Sequence, residues 1–206
     1  MDSSVRRRVA IVGAGYIADV HADVLKAIPN VEMVVVVDPR QNAAQAFARK
    51  HGIAHVAQSC EDALQHCKID CAHILVPPSL HAEVAKEWVR AGCSVLIEKP
   101  VVERAGQYEA LEVLAKERNA VIGVNQNFVH HPAYQRLKRD VDQGHIGPLH
   151  TVSMVFSMPL RQLDSGQLGH WMFQKPGNIL LEQAVHPLSQ LQDLLGPLKV
   201  ESVTVG

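Results

Sequence analysis

Three groups of residues in this sequence could do chemistry. The first is Gly13-x-Gly15-x-x-Ala18, placed between a β-branched run and a helical one. Gly13 suits a tight turn, Gly15 leaves room for backbone to approach a pyrophosphate, and Ala18 is small enough for close helix–strand packing. A helix starting there aims N–H groups and partial positive charge at phosphates. Asp38 follows 20 residues after Ala18. Its carboxylate can accept from ribose hydroxyls and would repel a 2′-phosphate, which favours NAD over NADP. Arg40 is the counter-signal, since a guanidinium there could hold that phosphate. The second group is Glu98-Lys99-Pro100, at the end of another apolar run. Proline confines Lys99 to extended backbone. The third is Glu182 with His186, whose spacing of four puts both on one face of a helix read over 179–195. An exposed ion pair and a partial metal site are the competing readings of that pair. A metal needs three or four ligands, and no third residue has a matching spacing.

These groups need a framework, and the sequence alternates strand and helix to supply one. Strands are expected at 8–12, 31–37, 55–57, 70–76, 94–97 and 121–124, and helices at 17–27, 41–50, 61–66, 80–91 and 104–118. Ile17, Val20, Val24 and Ile28 are the expected buried positions of the first helix. Nearly unbroken Val at 31–37 suits a strand covered on both faces of a parallel sheet. Repeated βα units imply a doubly wound α/β Rossmann fold over residues 1–126. Residues 127–206 read as an incomplete α+β second domain. It would have strands near 148–156 and 199–205, and a helix over 179–195 with Leu180, Leu181, Val185, Leu188, Leu191 and Leu195 as its apolar stripe. Some 80 residues are few for such a domain.

Composition narrows the class. The chain has 206 residues, 47% hydrophobic and 20% charged, with a net charge of −1. Near neutrality, no field draws it to nucleic acid or anionic lipid. With aromatics at 4%, a base-stacking platform is not expected either. No run reaches the length of a membrane span. Arg6-Arg7-Arg8 before Val9 imitates a signal peptide, but the apolar run stops at Gly13. Cys60, Cys67, Cys71 and Cys93 form no C-x-x-C pair, so buried free thiols in a cytoplasmic protein are expected.

Further segments make the pattern specific. Val76-Pro77-Pro78-Ser79-Leu80-His81 follows the fourth strand-like run, with Pro77 and His81 at a Pro-x-x-x-His spacing. Glu98-Lys99-Pro100 follows the fifth, and Gly144-His145-Ile146-Gly147 lies farther on. Trp171, Pro176-Gly177 and Glu182-Gln183-Ala184-Val185-His186 come after that. Together these resemble the Gfo/Idh/MocA oxidoreductases, relatives of glucose–fructose oxidoreductase and inositol dehydrogenase. The resemblance implies a cis Lys99–Pro100 bond. It implies a cofactor site drawn from Gly13, Ala14, Gly15, Tyr16, Ile17, Asp38, Arg40, Val76, Pro77, Pro78, His81, Glu98, Lys99 and Asn127, and a catalytic set of Lys99, His186 and Glu182. It also implies a possible homo-oligomer through a C-terminal sheet. Three departures stand out: Glu182 where the family has Asp, Ser189 where it has a second Asp, and Asn125-Gln126-Asn127-Phe128 where an Arg is common.

The reaction this implies is hydride transfer from a ring secondary alcohol, of a sugar or cyclitol, to NAD. His186 would take the hydroxyl proton, Lys99 would stabilise the oxygen, and Glu182 would orient His186 or bind a neighbouring hydroxyl. The alternatives are a cis-dihydrodiol dehydrogenase, an NAD-dependent glycosidase and a non-catalytic nucleotide-binding subunit.

Overall fold

A computed structural model describes residues 5–175 and 177–204. Pro176, Val205 and Gly206, used in the reading above, lie outside the described residues. The chain divides into two compact units, one up to Asn125 and one from Gln126.

The first unit is a six-stranded parallel sheet, ordered β3-β2-β1-β4-β5-β6. Its strands are β1 Arg7–Val12, β2 Val31–Val37, β3 His55–Ala57, β4 Cys71–Ile74, β5 Ser94–Ile97 and β6 Ile122–Val124. Its helices are α1 Tyr16–Lys26, α2 Gln41–His51, α3 Cys60–His66, α4 Pro78–Arg90 and α5 Ala105–Arg118. Side chains alternate between two cores. Val35 and Val37 join Ala10, Val12 and Ile74 under α3, α4 and α5, where Trp88 and Leu111 are fully buried. Val36 joins Val9 and Ile11 under α1 and α2. Burial on both faces is why β2 reads as unbroken valine.

The helix α1 departs from the expected stripe. Ala18, His21, Ala22 and Leu25 are buried, whereas Val20, Val24 and Ile28 are 45%, 57% and 43% exposed. Two alanines let α1 lie close to the sheet, and that rotates the larger branched residues outward. Counting apolar residues favours the wrong face when the contact face is built of small ones.

Register decides where chemistry can gather. Val12 pairs with Val37 and with Ile74, Ile74 with Ile97, and Ile97 with Val124. The next residues, Gly13, Asp38, Leu75, Glu98 and Asn125, therefore leave the sheet in one row. The row lies at the carboxyl edge, around the β1/β4 switch point, where ligands of open α/β sheets bind.

All four thiols are free and at least partly buried. Burial pushes Cys60 up to about 12 and Cys71 up to about 11. These groups are protonated packing elements rather than nucleophiles.

The second unit holds 3-10 turns at Asn127–His130 and Trp171–Phe173, and helices α6 Pro132–Asp142, α7 Arg161–Asp164, α8 Asn178–Gln183 and α9 Val185–Leu195. The Tyr134 hydroxyl on α6 lies 2.8 Å from the Gln190 carbonyl and 2.7 Å from the Asp193 carboxylate on α9. Gln190 Nε2 donates to the Phe128 carbonyl. Two expectations are corrected here. Residues 148–156 and 199–204 form no strand, because an extended run without a hydrogen-bonded neighbour makes no ladder. The helix over 179–195 is divided at Ala184 into α8 and α9. Pro187 has no N–H to give the Gln183 carbonyl, so the ladder is interrupted there.

Candidate functional site

The glycine turn comes first along the chain. Gly13 has φ +100°, and a Cβ there would sit 2.8 Å from the Leu75 carbonyl oxygen. Its N–H donates to the Val37 carbonyl at 2.8 Å. The turn is thus pressed between β2 and the end of β4, and glycine is required for both conformation and space. A Cβ on Gly15 would meet nothing within 4 Å. Gly15 caps α1 without a side-chain hydrogen bond. These features fit a phosphate group: a left-handed turn, open space above Gly15, and a helix start with no side-chain cap.

Asp38 ends β2 and is 3% exposed. Its Oδ2 accepts from Ala14 N (2.9 Å) and Arg40 Nη2 (3.0 Å), and its Oδ1 from Arg40 N (2.9 Å) and Arg40 Nε (3.0 Å). Burial alone would raise its pKa, but the Arg40 guanidinium and the two backbone N–H groups outweigh it and hold the carboxyl below its usual range. A carboxylate offers about four acceptor positions, and all are filled here. Meeting a ribose therefore requires Arg40, whose side chain is 70% exposed, to swing away.

Glu98, Lys99 and Pro100 leave β5, and the Lys99–Pro100 bond is cis. Glu98 is buried, and its carboxylate turns inward. Oε1 accepts from His21 Nε2 at 2.9 Å and from Asn125 Nδ2 at 2.5 Å, while Oε2 accepts from the Lys99 N–H at 3.1 Å. Burial opposes its ionisation, but the bonds from His21 and Asn125 win and its pKa falls. His21 Nδ1 lies 3.0 Å from His73 Nδ1. His81 is 1% exposed, with Nδ1 2.8 Å from the Pro100 carbonyl and Nε2 2.8 Å from the Val76 carbonyl. Burial holds its pKa low against the pull of those carbonyls. Glu98 and His81 thus spend their polar atoms on protein partners and shape the strand-end turns from beneath. Lys99 itself is half-buried, Pro77 and Tyr16 are exposed, and Val76 and Ile17 are half-buried.

Burial pushes His73 down to about 4, with His21 adding to the effect. Unfolded, it takes up a proton near 6.5; folded, it resists until about 4. Stability is therefore present above pH 6.5 and is lost as pH falls from there toward 4, by about 3 kcal/mol in all. Urea unfolding at pH 7.5 and pH 4.5 should show this loss, and His73→Gln should flatten it. An equal slope in the variant would show that other groups carry the acid sensitivity.

In the second unit His186 lies in the first turn of α9 and is 7% exposed. Its ring lies 4.2 Å, centroid to centroid, from Phe128 and 6.1 Å from Phe156. Glu182, on α8, is half-buried, and Asn127 is exposed in the first 3-10 turn. Sequence reasoning missed His21, His73 and Asn125. Nothing local marks His21, since its carboxylate partner lies 77 residues away. Among the described residues, no cluster of three or more His, Cys, Asp or Glu could hold a metal ion. Among the same residues, no helix is long and apolar enough to cross a membrane.

The strand order, the left-handed glycine turn and the acid ending β2 define a dinucleotide-binding Rossmann fold. Residues 7–126 match the oxidoreductase family described as GFO/IDH/MocA, NAD-binding Rossmann fold, and residues 134–205 match the GFO/IDH/MocA C-terminal domain. The chain belongs to this family. It is 35% identical over 170 residues to dTDP-3,4-didehydro-2,6-dideoxy-α-D-glucose 3-reductase of Streptomyces violaceoruber, a match covering 82% of this chain and 48% of the relative. It is 31% identical over 203 residues to D-glucoside 3-dehydrogenase of Escherichia coli, covering 95% and 56%. A crystal structure of KijD10, a 3-ketoreductase from Actinomadura kijaniata, in complex with NADP and TDP-benzene, superposes with a TM-score of 0.63 at 30% identity, covering 68% of this chain and 43% of that one. The chain spans about half the length of the curated relatives it matches.

Proposed function

We propose that this chain serves hydride transfer at a ring carbinol or ketone of a sugar, with NAD as the dinucleotide. The observation that carries the reading is the register-aligned row of Gly13, Asp38 and the Glu98-Lys99-Pro100 turn. Names add support, since three relatives are called a 3-reductase, a 3-dehydrogenase and a 3-ketoreductase. Position 3 of a hexose ring is therefore the carbon of choice. The dihydrodiol, glycosidase and non-catalytic readings find no favour among these three names.

When bound, the nicotinamide would accept or return the hydride. The chain's own residues would supply placement. Backbone around Gly13 and Gly15 would hold the pyrophosphate, and Asp38 a ribose hydroxyl once Arg40 releases it. Lys99 would donate to the reacting oxygen and stabilise its alkoxide character. His186 would take the hydroxyl proton as general base. Glu182 would orient His186 or bind an adjacent hydroxyl. Calorimetry with NAD and NADP, then a screen of hexosides and keto-sugars followed by NADH absorbance, tests the reading. Binding of neither dinucleotide would refute it.

Arg40 gives a sharper check. Arg40→Ala frees acceptor positions on Asp38 and removes the candidate partner of a 2′-phosphate. NAD should bind up to about fivefold more tightly, since a pair whose guanidinium is 70% exposed is screened by solvent and holds only about 0.2–1 kcal/mol. NADP should bind about tenfold more weakly for want of a charge-assisted partner. Parallel changes for both would show that Arg40 does not discriminate.

A further inference from the structure

We propose that His21 is a positioning residue for Lys99, acting through the carboxylate of Glu98 and tying the lysine turn to the helix that begins at the glycine loop. This rests on the reading of Lys99 as the group that meets substrate.

Side chains from two other elements meet at one carboxylate, and a third stands behind them. His21 comes from α1, Asn125 from the end of β6, Glu98 from the end of β5, and His73 from β4 stands behind His21. The Glu98 side chain is 10% exposed and that of His21 is 8%. Glu98 accepts the backbone N–H of Lys99 itself, so rotation of that carboxylate moves the peptide that carries the lysine. The other flank is pinned as well, because His81 reaches the carbonyl of Pro100. Lys99 thus lies between two residues, each held by a buried histidine from a different helix.

Packing alone does not explain the hub. Burying an ionised carboxylate costs several kcal/mol unless donors surround it, and apolar side chains of similar volume would fill the space without that cost. What the polar version adds is direction: the donors allow one rotamer of Glu98, and hence one placement of the Lys99 peptide. His21 stands five residues into the helix after Tyr16, about 7.5 Å along its axis. The placement of Lys99 is therefore referenced to the glycine loop as well as to β5.

The test uses the full chain and three variants. His21→Leu fills the space without a donor, His21→Gln keeps a donor toward Glu98, and Asn125→Ala removes the other side-chain donor. Folding is followed by circular dichroism and thermal melting. The decisive readout needs neither cofactor nor turnover: the rate at which the Lys99 amine is acylated by a small amine-selective reagent, resolved by peptide mass spectrometry, relative to exposed Lys116. We expect His21→Leu to change that ratio at least fivefold, His21→Gln to restore it to within twofold of the unsubstituted chain, and Asn125→Ala to move it in the same direction as His21→Leu by a smaller factor. If His21→Leu fails to fold, Asn125→Ala and His21→Gln decide. An unchanged Lys99 ratio in the folded donor-loss variants, or a folded His21→Gln that fails to restore it, overturns the proposal. Calorimetry of the unsubstituted chain with NAD separates the two claims. No binding there removes the dinucleotide reading, and the labelling ratios still decide the role of His21.

Discussion

Lys99→Ala should lower turnover on the proposed sugar substrate by about 10²–10³-fold, the usual cost of losing one donor to a developing oxyanion, while NAD affinity changes little. Two features make the split sharp. The strand-end turn is held by Glu98 and by His81, neither of which uses the lysine side chain in the bonds described above. Gly13 and Asp38, proposed to meet the dinucleotide, stand at the ends of other strands. Truncating the amine therefore leaves the turn and the loop in place and removes a charge. Lys99→Arg should restore turnover only in part. Guanidinium is a planar fork rather than a compact point charge, and it places its donors differently. The check is a pair of measurements on the same preparation, steady-state turnover and the calorimetric NAD dissociation constant. Equal losses in both would mean that Lys99 holds cofactor rather than the reacting oxygen.

Gly13→Ala should act on the fold and on nucleotide binding together. The left-handed conformation costs a residue with a Cβ about 1–2 kcal/mol, and φ there is +100°. The added methyl would also sit 2.8 Å from the Leu75 carbonyl oxygen, which is backbone and cannot turn aside. Relieving that contact pushes β1 and β4 apart at the switch point, at a further cost of about 1–3 kcal/mol. The sum, about 2–5 kcal/mol, corresponds to a fall of about 4–20 °C in Tm for a chain of this size. NAD binding should vanish in calorimetry, because the displaced turn is the one that would receive the pyrophosphate. Gly15→Ala makes the contrast. Its Cβ meets nothing within 4 Å, so stability should hold while NAD affinity falls. Equal stability losses at the two glycines would refute this division of roles.

Much of the first unit was legible in the residues themselves. Parallel strands buried on both faces must be apolar at every position, so β2 announces itself. Turns that need positive φ call for glycine, so Gly13 does too. The motif Gly13–Ala18, the acid at 38 and Glu98-Lys99-Pro100 are local statements, and each lies at a strand end. The face of α1 was not legible, because close packing on the sheet selects Ala18 and Ala22 over the larger Val20 and Val24, and a count of apolar residues weighs size the other way. The split between α8 and α9 was present in the sequence as Pro187 and was outweighed by the leucine periodicity.

Which polar groups face a ligand and which face the protein depended on tertiary structure. A glutamate followed by lysine and proline carries no mark of direction. Glu98 turns inward because His21, Asn125 and the Lys99 N–H reach it there, and burial makes those donors obligatory. Asp38 reads as a free carboxylate, yet Arg40 and Ala14 occupy its lone pairs. Residues near in sequence announced the strand-end motifs. The hydrogen-bond partners that give those motifs their orientation lie up to 77 residues apart, and no local pattern encodes a pairing made only when the chain closes its sheet.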